Sequence, residues 1–278
     1  MFVDHPANQC PVGDVALEEG PVSSELKRPR QQGVEDPRDQ RLHDGTTYPD
    51  PHRPFSTNLV SVTDRLVVIG GGGFGREVLE LIEDINASLE APAFEVMGVL
   101  DDATPDPDLL AQLGVRHLGS TEMLRALEPD VGYVIGIGAC AVRARIDHAG
   151  QTWQRTSPVL VHPTAVIGGR SVELAPGAIV CANSTITTNI RLGRHVHVNP
   201  GTTIGHDTTV GDYVTLTPQV AVAGNVTIGA GVFVGTGACI KPAITVGEGV
   251  LVGAGAVVTR DVPPGQTVAG IPARQLPD

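Results

Sequence analysis

The sequence is poor in aromatic residues, in cysteine and in positive charge. Phe, Trp and Tyr make up 3% of the 278 residues, so an aromatic core is excluded and Val, Ile, Leu and Ala have to fill the interior. The four cysteines lie far apart without a CxxC pair, which argues against a disulfide framework and a zinc knuckle. A net charge of −12 argues against nucleic acid or an anionic membrane as the main partner.

Long hydrophobic runs are also missing. No stretch approaches eighteen consecutive apolar residues, so no membrane insertion is expected, and the start MFVDHPANQC lacks the regions of a secretory signal. These features predict a cytoplasmic protein. Glycine and proline are abundant, with 34 and 22 residues, but they follow no collagen period.

The chain divides into three segments. Residues 1–63 are rich in proline and charge without an apolar period, which predicts a disordered tail. Residues 64–158 alternate short apolar strands with helical periods, as in RLVVIG followed by GGGFGREVLELIEDI. This pattern predicts a Rossmann-like α/β half domain, with a helix at 121–128 and a strand over Val131–Ile137. Residues 159–278 form the third segment.

A period of six residues dominates the third segment. Every sixth residue from Leu174 to Val258 is Leu, Ile or Val, fifteen in succession. A second small or β-branched stripe lies between them, and Gly, Asn or Asp predominates at the third position, where a turn needs positive φ. Because six is a multiple of two, each hexapeptide can form a short strand whose leading aliphatic residue faces inward. Three such strands predict an eighteen-residue coil of a parallel β-helix. Only six residues from 174 to 258 are charged, so the flat faces should be covered, most simply by copies of the chain.

These repeats resemble those of the left-handed β-helix acyltransferases, as do VHPTAVIG at 161–168, IGHDTTVGD at 204–212 and the ending VGAGAVVTRDVPPGQTVAGIPAR. With the glycine-rich domain in front, the chain from about 65 to 275 resembles the NeuD/PglD-like sugar O- and N-acetyltransferase family. The resemblance implies left-handed coiling, a homotrimer and a role in polysaccharide biosynthesis. It also implies acetyl transfer from acetyl-CoA to an amino or hydroxyl group of a sugar, either a nucleotide-linked aminosugar or a sialic-acid-type sugar.

The resemblance places the catalytic base at His206 and its orienting carboxylate at Asp207. Histidine suits this role because its pKa lies near neutrality. Asp207 also fits the turn position of the repeat, so a purely structural role stays open. The positions that match acetyl-CoA contacts are Thr215, Gly224, Thr236 and Ala254. Thr215 departs from a position that is often His in the family.

A GxGxxG motif, Gly70 to Gly75, lies between the first strand and helix, where loop amides can hold a phosphate. Alone it suggests NAD, but the domain is short for a complete dinucleotide fold and shows no segment for hydride transfer. The resemblance assigns the sugar or nucleotide-sugar acceptor to Gly72, Gly73, Phe74, Asp101, Asp102 and Gly138. Phe74 replaces the family's common His, and a solvated strand end is the competing interpretation of Asp101 and Asp102.

Other functions stay open on the sequence alone. They are a non-catalytic hexapeptide scaffold, an acyltransferase with another acceptor, and an NAD-linked oxidoreductase. A zinc site is not favoured because His195, His197 and His206 lack the spacing that such a site needs, so no metal is expected.

Overall fold

The computed structural model describes residues 64–277. The predicted disordered tail, residues 1–63, and Cys10 lie outside the described residues. The described chain forms an α/β domain followed by a long parallel β-helix. The exact boundary between the two, expected at 158–159, stays a prediction.

The α/β domain contains one parallel sheet in the order β3-β2-β1-β4, with helices packed on it. The strands are β1 (Asp64–Ile69), β2 (Phe94–Leu100), β3 (His117–Gly119) and β4 (Gly132–Ile135). The helices are α1 (Gly73–Ala87), α2 (Pro107–Gln112) and α3 (Cys140–Thr152). The β1 and β4 strands are buried on both faces, which explains their continuous apolar runs.

Two local predictions in this domain need correction. The segment predicted as a helix at 121–128 is a 3₁₀ helix over Thr121–Ala126, in which only Leu124 is buried. One buried residue gives too little apolar contact to stabilise a longer α-helix. The strand predicted over Val131–Ile137 is shorter, and β3 was not predicted because three residues carry no readable alternation.

The β-helix has three faces, each a sheet of parallel strands, here called A, B and C in chain order. Face A contains β5 (Leu160–Val161), β8 (Ile179–Val180), β11 (His197–Val198), β14 (Thr215–Leu216), β17 (Phe233–Val234), β20 (Leu251–Val252), β22 (Thr267–Ala269) and the antiparallel β23 (Arg274–Gln275). Face B contains β6 (Val166–Ile167), β9 (Thr185–Ile186), β12 (Thr203–Ile204), β15 (Ala221–Val222), β18 (Cys239–Ile240) and β21 (Val257–Val258). Face C contains β7 (Val172–Leu174), β10 (Ile190–Leu192), β13 (Thr209–Val210), β16 (Thr227–Ile228) and β19 (Thr245–Val246).

The six-residue period has the structural meaning predicted for it. The leading aliphatic residues from Val180 to Val258 are at most 3% exposed and form one continuous core. All fourteen third positions from Gly177 to Gly255 have positive φ, including the non-glycine residues Tyr213 and Gln219. The chain therefore forms a parallel β-helix with a turn after every strand, in agreement with the predicted left-handed β-helix.

The register confirms eighteen residues in a coil, since Thr203 pairs with Ala221. The first coil is longer, because Ile167 pairs with Ile186, nineteen positions later. This extra residue before Leu174 shifts the phase of the repeat. For that reason the uninterrupted six-residue pattern starts at Leu174, although the β-helix itself starts at β5.

The chain's own α/β domain covers the first part of face A. Leu160 and Ile179 point outward from this face and belong to the same buried cluster as Leu66 and Val68 of β1. Farther along the face, Leu251 is exposed. The expectation that copies of the chain cover the flat faces is thus incomplete, because an intramolecular domain covers part of one face.

Candidate active site

His206 lies on the turn between β12 and β13, at the edge where faces B and C meet. Its Nδ1 is 2.7 Å from Asp207 Oδ2, and Asn189 Nδ2 donates to Asp207 Oδ1 over 2.6 Å. An ionised carboxylate only accepts hydrogen bonds, so Nδ1 carries the proton and Nε2 carries the lone pair. The pair therefore presents Nε2 as a base.

Asp207 is both a turn residue and the partner of the histidine. Its φ of +59° lies in the left-handed region, which Asp tolerates. Hydrogen bonds from Asn189 and then His206 lower the pKa of Asp207, so it is ionised at neutral pH. The sequence did not identify Asn189 as a partner, although its position one coil before Asp207 is the signal that would have found it.

Gly224 lies directly beside the His206 ring, one coil later on the same edge. A Cβ at this position would be 2.5 Å from His206 Nε2, so any larger residue would displace the ring. The His206 side chain is 65% exposed and that of Asp207 is 50% exposed. The base is thus accessible to a substrate that approaches the B–C edge.

The glycine-rich loop lies at the N-terminus of α1. A Cβ at Gly75 would collide with the Gly70 carbonyl oxygen, so this glycine lets the helix approach β1. Gly72 and Gly73 are exposed and have open space on the side where a Cβ would lie. No acidic residue occupies the first turn of α1, which leaves its amide groups suited to a phosphate.

Asp101 and Asp102 organise the loops around this site. Asp101 Oδ2 accepts from the Gly71 amide over 2.7 Å, and its Oδ1 accepts from the Ala103 amide over 2.9 Å. Asp102 Oδ1 accepts from the Thr121 amide over 2.8 Å. Both side chains have defined structural partners, and their contact with a nucleotide stays a prediction.

Phe74 and Gly138 face the β-helix. The Phe74 ring is 4.9 Å from the ring of His197, which is fully buried on face A. The Gly138 carbonyl accepts from Thr215 Oγ1 over 3.0 Å, and the side of Gly138 where a Cβ would lie is open. Gly72 lies in the loop after β1, and Gly73 and Phe74 lie in the first turn of α1. With Asp101 and Asp102 after β2 and Gly138 after β4, the six predicted acceptor residues thus lie at the carboxyl edge of the sheet, where α/β folds bind ligands.

The four predicted acetyl-CoA residues do not lie together in one chain. Gly224 adjoins His206 on the B–C edge, whereas Thr236 and Ala254 are exposed on the A–B edge, one coil apart. Thr215 is on face A and only 2% exposed. Acetyl-CoA contacts at these four positions stay predictions.

A second histidine–aspartate pair, which the sequence did not single out, joins the α/β domain to the β-helix. His195 Nε2 donates to Asp147 Oδ1 over 2.9 Å, and both side chains are fully buried. Arg194 also binds both carboxylate oxygens of Asp147, at 2.7 and 3.0 Å. The remaining donors to Asp147 are the Tyr133 and Tyr213 hydroxyls and the Gln151 amide.

Burial opposes ionisation of Asp147, but the hydrogen bonds from His195, Arg194 and the tyrosines outweigh it and hold its pKa well below the ordinary value. Burial, with the bond to Asp147, raises the pKa of Tyr213 to about 12, so its hydroxyl stays protonated and donates. Asp147 therefore acts as a fully bonded anchor between the two parts of the chain.

Within residues 64–277, no group of three or more His, Cys, Asp or Glu side chains is arranged to hold a metal ion. In the same part of the chain, no helix has the length and apolar character needed to span a bilayer.

Two family models match the chain. The PglD N-terminal domain matches residues 65–149, and the bacterial transferase hexapeptide, six repeats, matches residues 225–260. The acetyltransferase domain of PglB from Neisseria gonorrhoeae FA1090, in complex with acetyl coenzyme A, is 33% identical with a TM-score of 0.70. The match covers 77% of this chain and 100% of that one. The chain belongs to the PglD/NeuD-like sugar acetyltransferase family.

Further solved members of this family agree with the assignment. PerB from Caulobacter crescentus, in complex with CoA and GDP-perosamine, is 30% identical over 76% of this chain and 97% of that one, with a TM-score of 0.69. WeeI from Acinetobacter baumannii AYE is 31% identical over 76% of this chain and 99% of that one, with a TM-score of 0.66. A comparison with curated protein sequences gives no significant match. The chain is therefore an acyltransferase, and its co-substrate is acetyl-CoA.

Proposed function

We propose that the protein transfers the acetyl group of acetyl-CoA to an amino or hydroxyl group of a nucleotide-linked sugar. The accessible His206, held in the tautomer of a base by Asp207, is the observation that carries the proposal. The glycine-rich loop favours the binding of a nucleoside diphosphate, because the open amide groups at the N-terminus of α1 attract anions. PerB, at 30% identity, was solved with GDP-perosamine, which favours a nucleotide-linked aminosugar over a free sugar.

In the proposed reaction, His206 Nε2 removes a proton from the sugar amine or hydroxyl as it attacks the thioester carbon. The new bond joins the sugar nitrogen or oxygen to the acetyl carbon, and the carbon–sulfur bond breaks to release CoA. Asp207 stabilises the imidazolium that forms, and the imidazolium returns the proton to the leaving thiolate. Gly224 provides the space in which the ring is held.

We further propose that each active site is shared between two copies in a homotrimer. In one chain, His206 lies on the B–C edge, whereas the acceptor loops lie over face A on the opposite side of the three-sided coil. A second copy could place its acceptor loops beside this edge. Thr236 and Ala254 on the A–B edge would then contribute with Gly224 to an acetyl-CoA groove between copies.

The principal experiment measures CoA thiol release with GDP-, UDP- and dTDP-linked aminosugars and with free sialic acid. His206→Ala should lower kcat about 10²- to 10⁴-fold because the proton acceptor is lost. The matched control is His148→Ala, which removes an exposed histidine of α3. Turnover that persists in His206→Ala would refute the assignment of the base, and silence of the wild type across the panel would refute the acceptor class.

Mixed trimers test the shared site. His206→Ala lacks the base, and Gly72→Asp adds a negative side chain where the acceptor phosphate is proposed to bind. If sites are shared, a random mixture of the two inactive variants should recover about a quarter of the wild-type rate, since that fraction of sites pairs two intact halves. Gly169→Asp is the control, because Gly169 also has open space around its Cβ position. No recovery in mixed trimers verified by light scattering would place the site within one chain.

A further inference from the structure

The first turn of α3 carries a buried positive charge that no carboxylate pairs with among residues 64–277. Arg143 is fully buried, and burial lowers its pKa to about 10, which still leaves it charged at neutral pH. Its donors reach five main-chain carbonyls and one hydroxyl. They are Ile137 O at 2.8 Å, Gly138 O at 3.2 Å, His195 O at 2.8 Å, Tyr213 O at 2.6 Å, Val214 O at 3.2 Å and Thr215 Oγ1 at 2.9 Å.

This arrangement joins two otherwise separate pieces of backbone. One guanidinium nitrogen binds the loop after β4, and the other two bind consecutive coils of the β-helix. Burying a charge is costly, and the planar fork of Arg offsets that cost by satisfying several acceptors in fixed directions. Arg143 thus acts as a clamp whose geometry fixes the 136–138 loop against the β-helix.

Thr215 closes the clamp. Its hydroxyl accepts from Arg143 Nη2 and donates to Gly138 O over 3.0 Å, so the same carbonyl is held by both side chains. Cys140 Sγ lies 3.6 Å from the Thr215 hydroxyl, which leaves the hydroxyl enclosed by protein. The Thr215 side chain is 2% exposed, and its hydroxyl both accepts and donates a hydrogen bond within the protein.

We propose that Thr215 is a positioning residue for the sugar acceptor and makes no direct contact with acetyl-CoA. Its hydroxyl binds the Gly138 carbonyl and so orients this peptide, and Gly138 is a predicted acceptor residue with open space where a Cβ would lie. The inference rests on the proposed function for its kinetic test. This role takes the place of the acetyl-CoA contact that the family resemblance implies for Thr215.

Thr215→Val tests this because it keeps the shape of the side chain and removes both hydrogen bonds. The KM for the nucleotide-linked aminosugar should rise about five- to tenfold, because an oriented peptide is lost. The KM for acetyl-CoA should stay within about twofold of the wild type, and Thr215→Ser, which keeps the hydroxyl, should restore acceptor binding. Thr209→Val is the matched control, since Thr209 is an exposed strand residue on face C.

A second measurement needs no turnover. Amide hydrogen exchange in the 136–143 segment should become faster in Thr215→Val and stay unchanged in Thr209→Val. A raised acetyl-CoA KM with an unchanged acceptor KM would overturn the proposal and assign Thr215 to the donor. Unchanged exchange in the 136–143 segment would overturn it as well. If the wild type transfers no acetyl group to any acceptor, the proposed function fails, while the exchange measurement still decides whether Thr215 holds the loop.

Discussion

The His206–Asp207 and His195–Asp147 pairs have nearly the same contact distance, 2.7 Å and 2.9 Å, in very different surroundings. In the first pair, the His206 side chain is more than half exposed, and its Nδ1 faces the Asp207 carboxylate. The second is fully buried, with Nε2 facing the carboxylate and four further side chains bonded to it. A histidine–aspartate contact is therefore not by itself a catalytic signature. Access to the remaining nitrogen, together with the number of other groups that bind the carboxylate, separates a base from an anchor.

The largest effect should come from breaking the buried pair. Asp147→Asn turns one accepting oxygen into a donor and leaves the Arg194 charge without its partner. We expect the free energy of unfolding to fall by about 3–5 kcal/mol, the range for a broken buried ion pair. Chemical denaturation measures it. Asp130→Asn, which breaks an exposed contact with Arg65, is the control and should change stability by less than about 1 kcal/mol. A similar small change in Asp147→Asn would show that the anchor is not needed for stability.

The same anchor predicts how stability depends on pH. The pKa of Asp147 is lower in the folded state than in the unfolded chain, whose Asp pKa is about 3.9. Its stabilising contribution is therefore fully present above that value and is lost as the pH falls below it. Between about pH 5 and pH 3, the wild type should lose more stability than Asp147→Asn. Parallel slopes for the two proteins would contradict the assignment of Asp147 as the ionised anchor.

A smaller effect is expected from displacing the exposed histidine without removing it. In Gly224→Ala, the new Cβ would lie 2.5 Å from His206 Nε2, so the ring has to rotate away from the substrate. We expect kcat to fall about 10- to 100-fold, because misplacement of a reacting group is costly even when the group is retained. The melting temperature should change little, since the ring is exposed. Gly169→Ala, in open space, is the comparison, and wild-type turnover in Gly224→Ala would argue against His206 as the base.

The smallest effect should follow loss of charge in the exposed pair. Asp207→Asn keeps a residue that accepts positive φ and keeps an oxygen that accepts from His206 Nδ1. Only the stabilisation of the imidazolium is weakened, so kcat should fall about tenfold, less than in His206→Ala. A kcat equal to that of His206→Ala would mean that Asp207 is indispensable, in contrast to the supporting role assigned here.

Several site features were readable from the sequence because they are local. The His206–Asp207 contact joins neighbours in the chain, and the glycine loop is confined to a single strand–helix turn. The eighteen-residue period also carries enough information to place Gly224 beside His206. The same spacing places Asn189 beside Asp207 and His197 beside Thr215, but a spacing alone does not give the direction of a side chain.

Other features could not be found this way. Arg143 binds carbonyl groups of the β-helix more than fifty residues away, and its position in the helical pattern of α3 does not indicate these partners. Asp147 has no sequence motif, because its partners come from β4, α3 and two successive coils. The six-residue pattern does not reveal the first coil, because the extra residue before Leu174 changes the phase of the pattern there.

The sequence by itself determined the β-helix, because every coil repeats the same short-range rule of an inward aliphatic residue followed by a turn. It also determined the tautomer-setting contact of His206, which depends only on adjacent residues. Only the tertiary structure decided which face of the coil the α/β domain covers and which histidine is accessible. Those outcomes depend on contacts between residues far apart in the chain, and the burial they produce makes one histidine–aspartate pair an anchor and leaves the other exposed.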